Sequence, residues 1–395
     1  IQNKLFHSRS KYLMFNLKGD LIYTGNGVVE NGVVSIEGST IAGVGAEAGG
    51  AVAGSYPVIT PAIIDAHSHI GLIRGGEPSD EAEANEHMGA LLAHADVLDS
   101  IQMDDAGFED SIESGVLYSC VLPGSGNIIG GNSAVIRNYG LDTNAAFIRR
   151  SGIKAAFGYN PMHVRTWKGQ RPFTRMGALA MLRAKLHDVK AKIDKEAAAE
   201  ADPEKKNDVT YTAEEAVMKA ILRGEERMRI HVHKADDIAA IIRFVEEWGL
   251  NVVVEHTMDI HRPGIYEQLK EHGIPVIYGP MDCLAYKVEL KHESWKNVKY
   301  LIDSGVEFGL MTDHPVIMQK MLLFELRHFV RMGLTKEQAL DVITRKNAEL
   351  IGVGDILGTI EEGKWASVIC WNGDPFALDS YPVAIYAEGE LIYKA

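Results

Sequence analysis

The sequence predicts an α/β protein: a (β/α)8 TIM barrel carrying a small β-sandwich domain built from both chain termini. Three observations predict it. Eight short apolar runs recur between residues 58 and 311, with helical or loop segments between them. The two ends are β-rich and cut by turn signals, unlike the middle. Histidine and aspartate fall where apolar runs stop, which is where a barrel presents its chemistry.

Near the start, 12–45 is interrupted by Gly19-Asp20, Asn26-Gly27, Asn31-Gly32 and Glu37-Gly38. Near the end, 366–371 and 383–393 read as strands around a Glu388-Gly389 turn. Neither end buries a core alone. They are expected to form one β-domain, 1–59 plus 352–395, around a barrel domain at 60–351. The barrel strands are expected at 58–66, 116–122, 134–137, 154–158, 228–232, 251–255, 275–278 and 307–311. Between them, Leu179, Leu182, Leu186, Val189 and Ile193 recur at helical spacing. Thr212-x-x-Glu215 reads as a capping box, and a helix over 238–248 stops at Gly249. Two segments break the rhythm. The acidic stretch 74–105 is expected to sit over the barrel mouth as a lid or specificity loop. The charged stretch 195–207 reads as an excursion between helices.

The 395 residues carry a formal net charge of −14, which argues against nucleic acid and anionic membranes as partners. No apolar stretch reaches the ~18 residues of a membrane span. Cys120, Cys283 and Cys370 are scattered, as in a reducing compartment, and no CxxC offers thiolates to a metal. Residues 1–10 lack the apolar centre of a signal peptide. A cytoplasmic protein acting on a small molecule is expected, with homo-oligomerisation left open.

His67-Ser68-His69 closes the first run, and side chains two apart on a strand share a side, so the pair can grip one metal. By itself such a pair is more often chance. Other candidate ligands fall at other strand ends: His231 and His233 at the fifth, His256 at the sixth, Asp313 after Thr312 at the eighth. Three His and one Asp suit a zinc-type catalytic site with a position open for water. Asp313 taken alone could be a helix N-cap, which Asp favours; beside Thr312 at the end of the eighth strand it reads as catalytic. His87, His94, His163, His261, His272 and His314 read as surface or loop residues. The glycine-rich 124–131 lacks the Gly-Lys-Ser/Thr ending of a phosphate loop and is rejected as one.

These residues carry a family resemblance. Thr60-Pro61-Ala62-Ile63-Ile64-Asp65-Ala66-His67-Ser68-His69, Thr312-Asp313, and Leu357-Gly358-Thr359-Ile360-Glu361-Glu362-Gly363-Lys364 with Ala366-Ser367-Val368 resemble the amidohydrolase superfamily, near its imidazolonepropionase-related branch. Ala62 stands where Gly is usual, and Ser367 where Asp is usual. The resemblance implies a metal-dependent hydrolase of carbon–nitrogen bonds. It implies one divalent transition metal, zinc first, with iron or manganese as alternatives, held by His67, His69, His233 and Asp313. Asp313 would serve as general base and acid. His233-x-x-Asp236 matches the family pattern, which favours His233 over His231; the latter then lies deeper, as a core or substrate-side residue. His256 binds a second metal in some relatives and substrate or water in others. Related sequences bridge two metals with a fourth-strand acid or a carboxylated lysine. Here Tyr159 stands where Glu is expected, and Lys154 begins the strand, too far from its end. A single metal is therefore expected, with Tyr159 free to help catalysis by donating to the substrate's carbonyl. Arg175 or Arg165 is a candidate for binding a substrate carboxylate, with a solvated arginine the equal alternative. Dipeptidases of the Xaa-Pro or Xaa-Arg type and deaminases are the alternatives within the superfamily. A non-catalytic scaffold is the alternative outside enzymology, though it has no reason to keep the ligand set.

Overall fold

A computed structural model describes residues 14–45, 51–162, 170–202 and 208–395. Eight strands form one sheet in sequential order: Ile63–Ser68, Val116–Val121, Ile129–Arg137, Phe147–Ala156, Met228–Val232, Val252–His256, Val276–Tyr278 and Phe308–Leu310. All neighbours are parallel except the third strand, which is antiparallel to the second and the fourth. Connection length explains the exception. A parallel return needs a crossover of about a dozen residues or more. Only 122–128 precede the third strand, and only 138–146 follow it, holding the short helix Thr143–Ala146. The barrel is thus (β/α)8-like with one reversed strand.

The sheet nearly closes. No ladder joins its first and eighth strands, but Asn347 stitches them. Its side-chain amide donates to Ile64 O (2.7 Å) and Leu310 O (2.8 Å), and its Oδ1 accepts from Leu310 N (2.9 Å). Further along the seam, Asp313 N donates to His67 O (3.1 Å) and His69 N to His314 O (2.9 Å). The residues expected to bind metal therefore lie on the line where the barrel shuts.

Outside the sheet, Arg175–Glu200 buries Leu182, Leu186 and Val189. Its length overturns part of the expected excursion, since 195–200 continues the helix; 203–207 lie outside the described residues. The Thr212–Glu215 capping box is present, and Ala235–Trp248 ends on Gly249 in the left-handed conformation (φ 66°).

The termini meet in one seven-stranded sheet, in the order Glu390–Lys394, Pro382–Ala387, Val368–Trp371, Ala51–Pro61, Met14–Tyr23, Val28–Glu37, Thr40–Gly45. Hydrogen bonds link all seven, so the described strands form one sheet where two stacked sheets were expected. The apolar run 58–66 is also not one strand. It straddles two sheets, breaking at Ala62, whose N–H donates to Ser367 O (2.9 Å). Gly19 and Gly32 face each other inside a ladder instead of making turns.

Candidate metal centre

The first strand carries His67 and His69 with ring centroids 5.1 Å apart. Each ring is fixed through Nδ1: His67 to Glu255 Oε2 (3.0 Å), His69 to Leu122 O (2.8 Å). On the sixth strand, His256 Nδ1 meets Gly279 O (2.9 Å) in the same way. Carboxylate and carbonyl oxygens only accept, so each Nδ1 carries the proton and each Nε2 of the neutral ring presents a lone pair. That is the tautomer a metal ligand needs.

Asp313 Oδ1 lies 3.3 Å from His67 Nε2 and 3.1 Å from His69 Nε2. Three lone-pair atoms this close repel one another unless a cation lies among them. Burial drives His231, His233 and His256 well below the usual imidazole range, which keeps them neutral. His67 Nε2, His256 Nε2, His233 Nδ1, both His231 nitrogens and Asp313 Oδ1 are buried without a hydrogen-bond partner among the described residues. Orphaned ligand atoms at this density fit a divalent metal better than a packed core.

The donors fall into two groups, His67 with His69 and Asp313, and His231 with His233 and His256. The groups adjoin, since the His67 and His256 rings are 5.1 Å apart. His233 thus joins the second group, where the expected set placed it with His67, His69 and Asp313. His231 is part of that second group too, its ring 4.8 Å from His233 and 4.3 Å from His256. His256 and Asp313 both sit at positive φ, 76° and 51°, at strand ends where strain accompanies function. Alternation would send Glu255 and His256 to opposite faces; the turn at His256 lets both reach His67.

The remaining candidates are placed differently. Arg175 donates through Nε to Asp237 Oδ1 (2.6 Å), and its side chain is 44% exposed. Arg165 and His163 lie outside the described residues. Tyr159 donates its backbone N–H to Glu289 Oε1 (2.6 Å). Lys154, set aside as too distant, lies two residues before the end of its strand and is fully buried. Burial lowers it to about 8, opposed by Asp313 and Glu255, so it belongs to the electrostatics of the site. Its Nζ donates to Pro123 O (3.1 Å) and Ser125 Oγ (2.9 Å) on the glycine-rich loop. His314 is buried, at 4% exposure, and its Nδ1 accepts from Gln319 N (3.2 Å); His87 and His94 are exposed as expected.

Sequence reasoning missed two supports. Glu255 grips both His67 and Arg229 Nε (2.7 Å), and Arg229 Nη2 donates to Ala66 O (2.7 Å). In-register pairing puts His231 beside Glu255, with Arg229 two residues earlier on the same face. That spacing was the available signal. Glu289, from the loop after the seventh strand, had none. A third group, Asp259, His261 and His292, stands apart, and Lys234 Nζ (3.0 Å) already neutralises its aspartate.

Known proteins share this fold and sequence pattern. An amidohydrolase from Thermotoga maritima superposes with a TM-score of 0.89 at 29% identity, covering 96% of this chain and 100% of its own. Amidohydrolase tasK of Hapsidospora irregularis is 25% identical over 360 residues, 84% of this chain but 36% of that protein. An imidazolonepropionase of Thermoplasma volcanium is 26% identical over 161 residues, 40% of this chain and 38% of that enzyme. The chain thus spans little more than a third of the length of either curated relative. No helix among the described residues is long and apolar enough to cross a membrane. With the Amidohydrolase family model matching residues 58–391, the chain belongs to that family.

Proposed function

We propose that this chain is a metal-dependent hydrolase that cleaves a carbon–nitrogen bond of a small amide or cyclic amide. The observation that carries the reading is the set of Nδ1-locked histidines whose Nε2 atoms face Asp313. His67, His69 and Asp313 would hold one divalent ion, and His231, His233 and His256 a second, zinc in the first instance. Such ions make a water acidic enough to lose a proton near neutral pH and polarise a carbonyl.

The chain's own groups do the rest. Asp313 takes the proton of the attacking water on its carboxylate and returns it to the leaving nitrogen. Glu255 and Leu122 O hold the two imidazoles in register, so Asp313 meets substrate without rearrangement. Burial of the five histidines limits bulk water around them, while the Asp313 side chain, 16% exposed, remains reachable from outside.

A panel of N-acyl amino acids, cyclic amides, Xaa-Pro dipeptides and aminopurines, assayed for released amine or ammonia, tests this. One amide class is expected to turn over, to stop after chelator treatment and to recover with zinc. Preferred cleavage of the dipeptides, or ammonia released from the aminopurines, would move the assignment to a dipeptidase or a deaminase. Failure of every metal-restored reaction would favour a scaffold role.

A further inference from the structure

The loop after the seventh barrel strand inverts the usual partition of residues. Tyr286 and Val288 are each 65% exposed, whereas Glu289 is 0% exposed. The charged residues of the loop anchor it. At one end Asp282 Oδ2 lies 2.9 Å from His328 Nε2. At the other, Glu289 Oε1 accepts from Tyr159 N–H (2.6 Å), and Lys287 Nζ donates to Asn160 Oδ1 (3.2 Å). Between these anchors Tyr286 N–H donates to Leu284 O (2.8 Å). The apolar side chains therefore stand on a held platform, and grouped exposed apolar residues mark binding surfaces.

Tyr286 stands beside both donor groups. Its ring centre is 5.9 Å from Lys287 Nζ. That ammonium lies 3.4 Å from Glu289 Oε2, which lies 3.6 Å from His231 Nε2. The other group is near as well: after partial burial, the Asp313 charge is the next cause that raises the Tyr286 phenol. Asp313 also opens a second apolar loop. Val316 N–H donates to Asp313 O (2.9 Å), and Val316 and Met318 are both exposed. Loops from two neighbouring strands thus present apolar side chains next to Asp313.

The chemistry decides which part of a substrate meets them. Asp313 returns a proton to the leaving nitrogen, so that nitrogen comes within hydrogen-bond reach of its carboxylate. A substituent on this nitrogen is then the part of the substrate closest to Tyr286 and Val316. An apolar substituent covers the ring and the aliphatic side chain and releases the water on them.

We propose that Tyr286 and Val316 form the subsite for an apolar substituent on the leaving amine, so that the amides cleaved are those of amines with an aromatic or branched aliphatic side chain, hydrophobic amino acids among them. The assignment rests on the hydrolase reading given above. The test compares kcat/KM of the zinc-loaded full chain on N-acetyl-L-phenylalanine, N-acetylglycine and N-phenylacetylglycine. The first carries its ring on the amine side, the third on the acyl side. Wild type is expected to prefer N-acetyl-L-phenylalanine to N-acetylglycine by at least about tenfold, the discrimination a hydrophobic subsite supplies. Tyr286→Ala is expected to remove most of that ratio, chiefly through KM, and Tyr286→Phe to retain it. If Tyr286→Ala does not fold, Val316→Ser carries the test, and the same ratio must fall. A wild-type chain without this preference overturns the subsite, as does a ratio unchanged in both Tyr286→Ala and Val316→Ser. A loss that follows the ring of N-phenylacetylglycine instead, or turnover confined to cyclic amides, also overturns it. Each of these results leaves the hydrolase reading intact. Absence of any metal-restored amide hydrolysis overturns both.

Discussion

Asp313→Asn is expected to lower turnover by about 10²–10⁴-fold, the usual contribution of a positioned general base, with the melting temperature nearly unchanged. The structure explains why the effects separate. Asp313 occupies the left-handed region at φ 51°, which asparagine tolerates as well as aspartate. Its structural bond uses the backbone N–H, donated to His67 O, so the barrel seam survives the exchange. What is lost is the anionic oxygen between His67 Nε2 and His69 Nε2, and with it the acceptor for the water's proton. Turnover within a few-fold of wild type, measured on the amide the panel identifies, would contradict the assigned role.

Glu255 should show the opposite pattern, a large loss of stability together with a loss of metal. Its two oxygens serve Arg229 and His67, and all three residues are essentially buried. Burial raises its carboxyl, but Arg229 and His67 outweigh that and bring it down to about 2. Because the folded value lies below the unfolded one, its stabilisation is complete above about pH 4.3 and disappears as pH falls toward 2. Glu255→Ala leaves the Arg229 guanidinium buried without a counter-charge, which costs about 3–5 kcal/mol. Glu255→Gln retains shape but frees His67 to change tautomer, with an expected 10–100-fold drop in metal affinity, roughly the effect of removing a ligand's supporting partner. Denaturant melts of both variants and zinc binding by Glu255→Gln measure this. Wild-type stability of Glu255→Ala would show that the Arg229–Glu255–His67 chain is incidental.

The parts legible in the sequence are those governed by local period. Apolar runs located the eight strands, and the Thr212 capping box and Gly249 set helix limits because their physics is contained within a few residues. His67, His69, His256 and Asp313 were visible as candidates because buried histidine and aspartate at several strand ends have no packing reason to recur. Strand direction was not legible at Ile129–Arg137, where loop length decided the pairing. Lys154 was misplaced because the fourth strand starts at Phe147, earlier than its apolar content suggests. The Arg175–Asp237 pair was not legible, because nothing local reveals a partner 62 positions away. Glu289 lies 130 positions from Tyr159 in a loop without periodicity, so only the folded chain shows the two together.

The central claim is that two adjoining donor groups, His67 with His69 and Asp313, and His231 with His233 and His256, form one metal centre. Elemental analysis of protein purified without chelators tests it most directly. The account predicts two equivalents of transition metal per chain. A single equivalent would contradict the pairing of the groups, and none would contradict the metal centre itself.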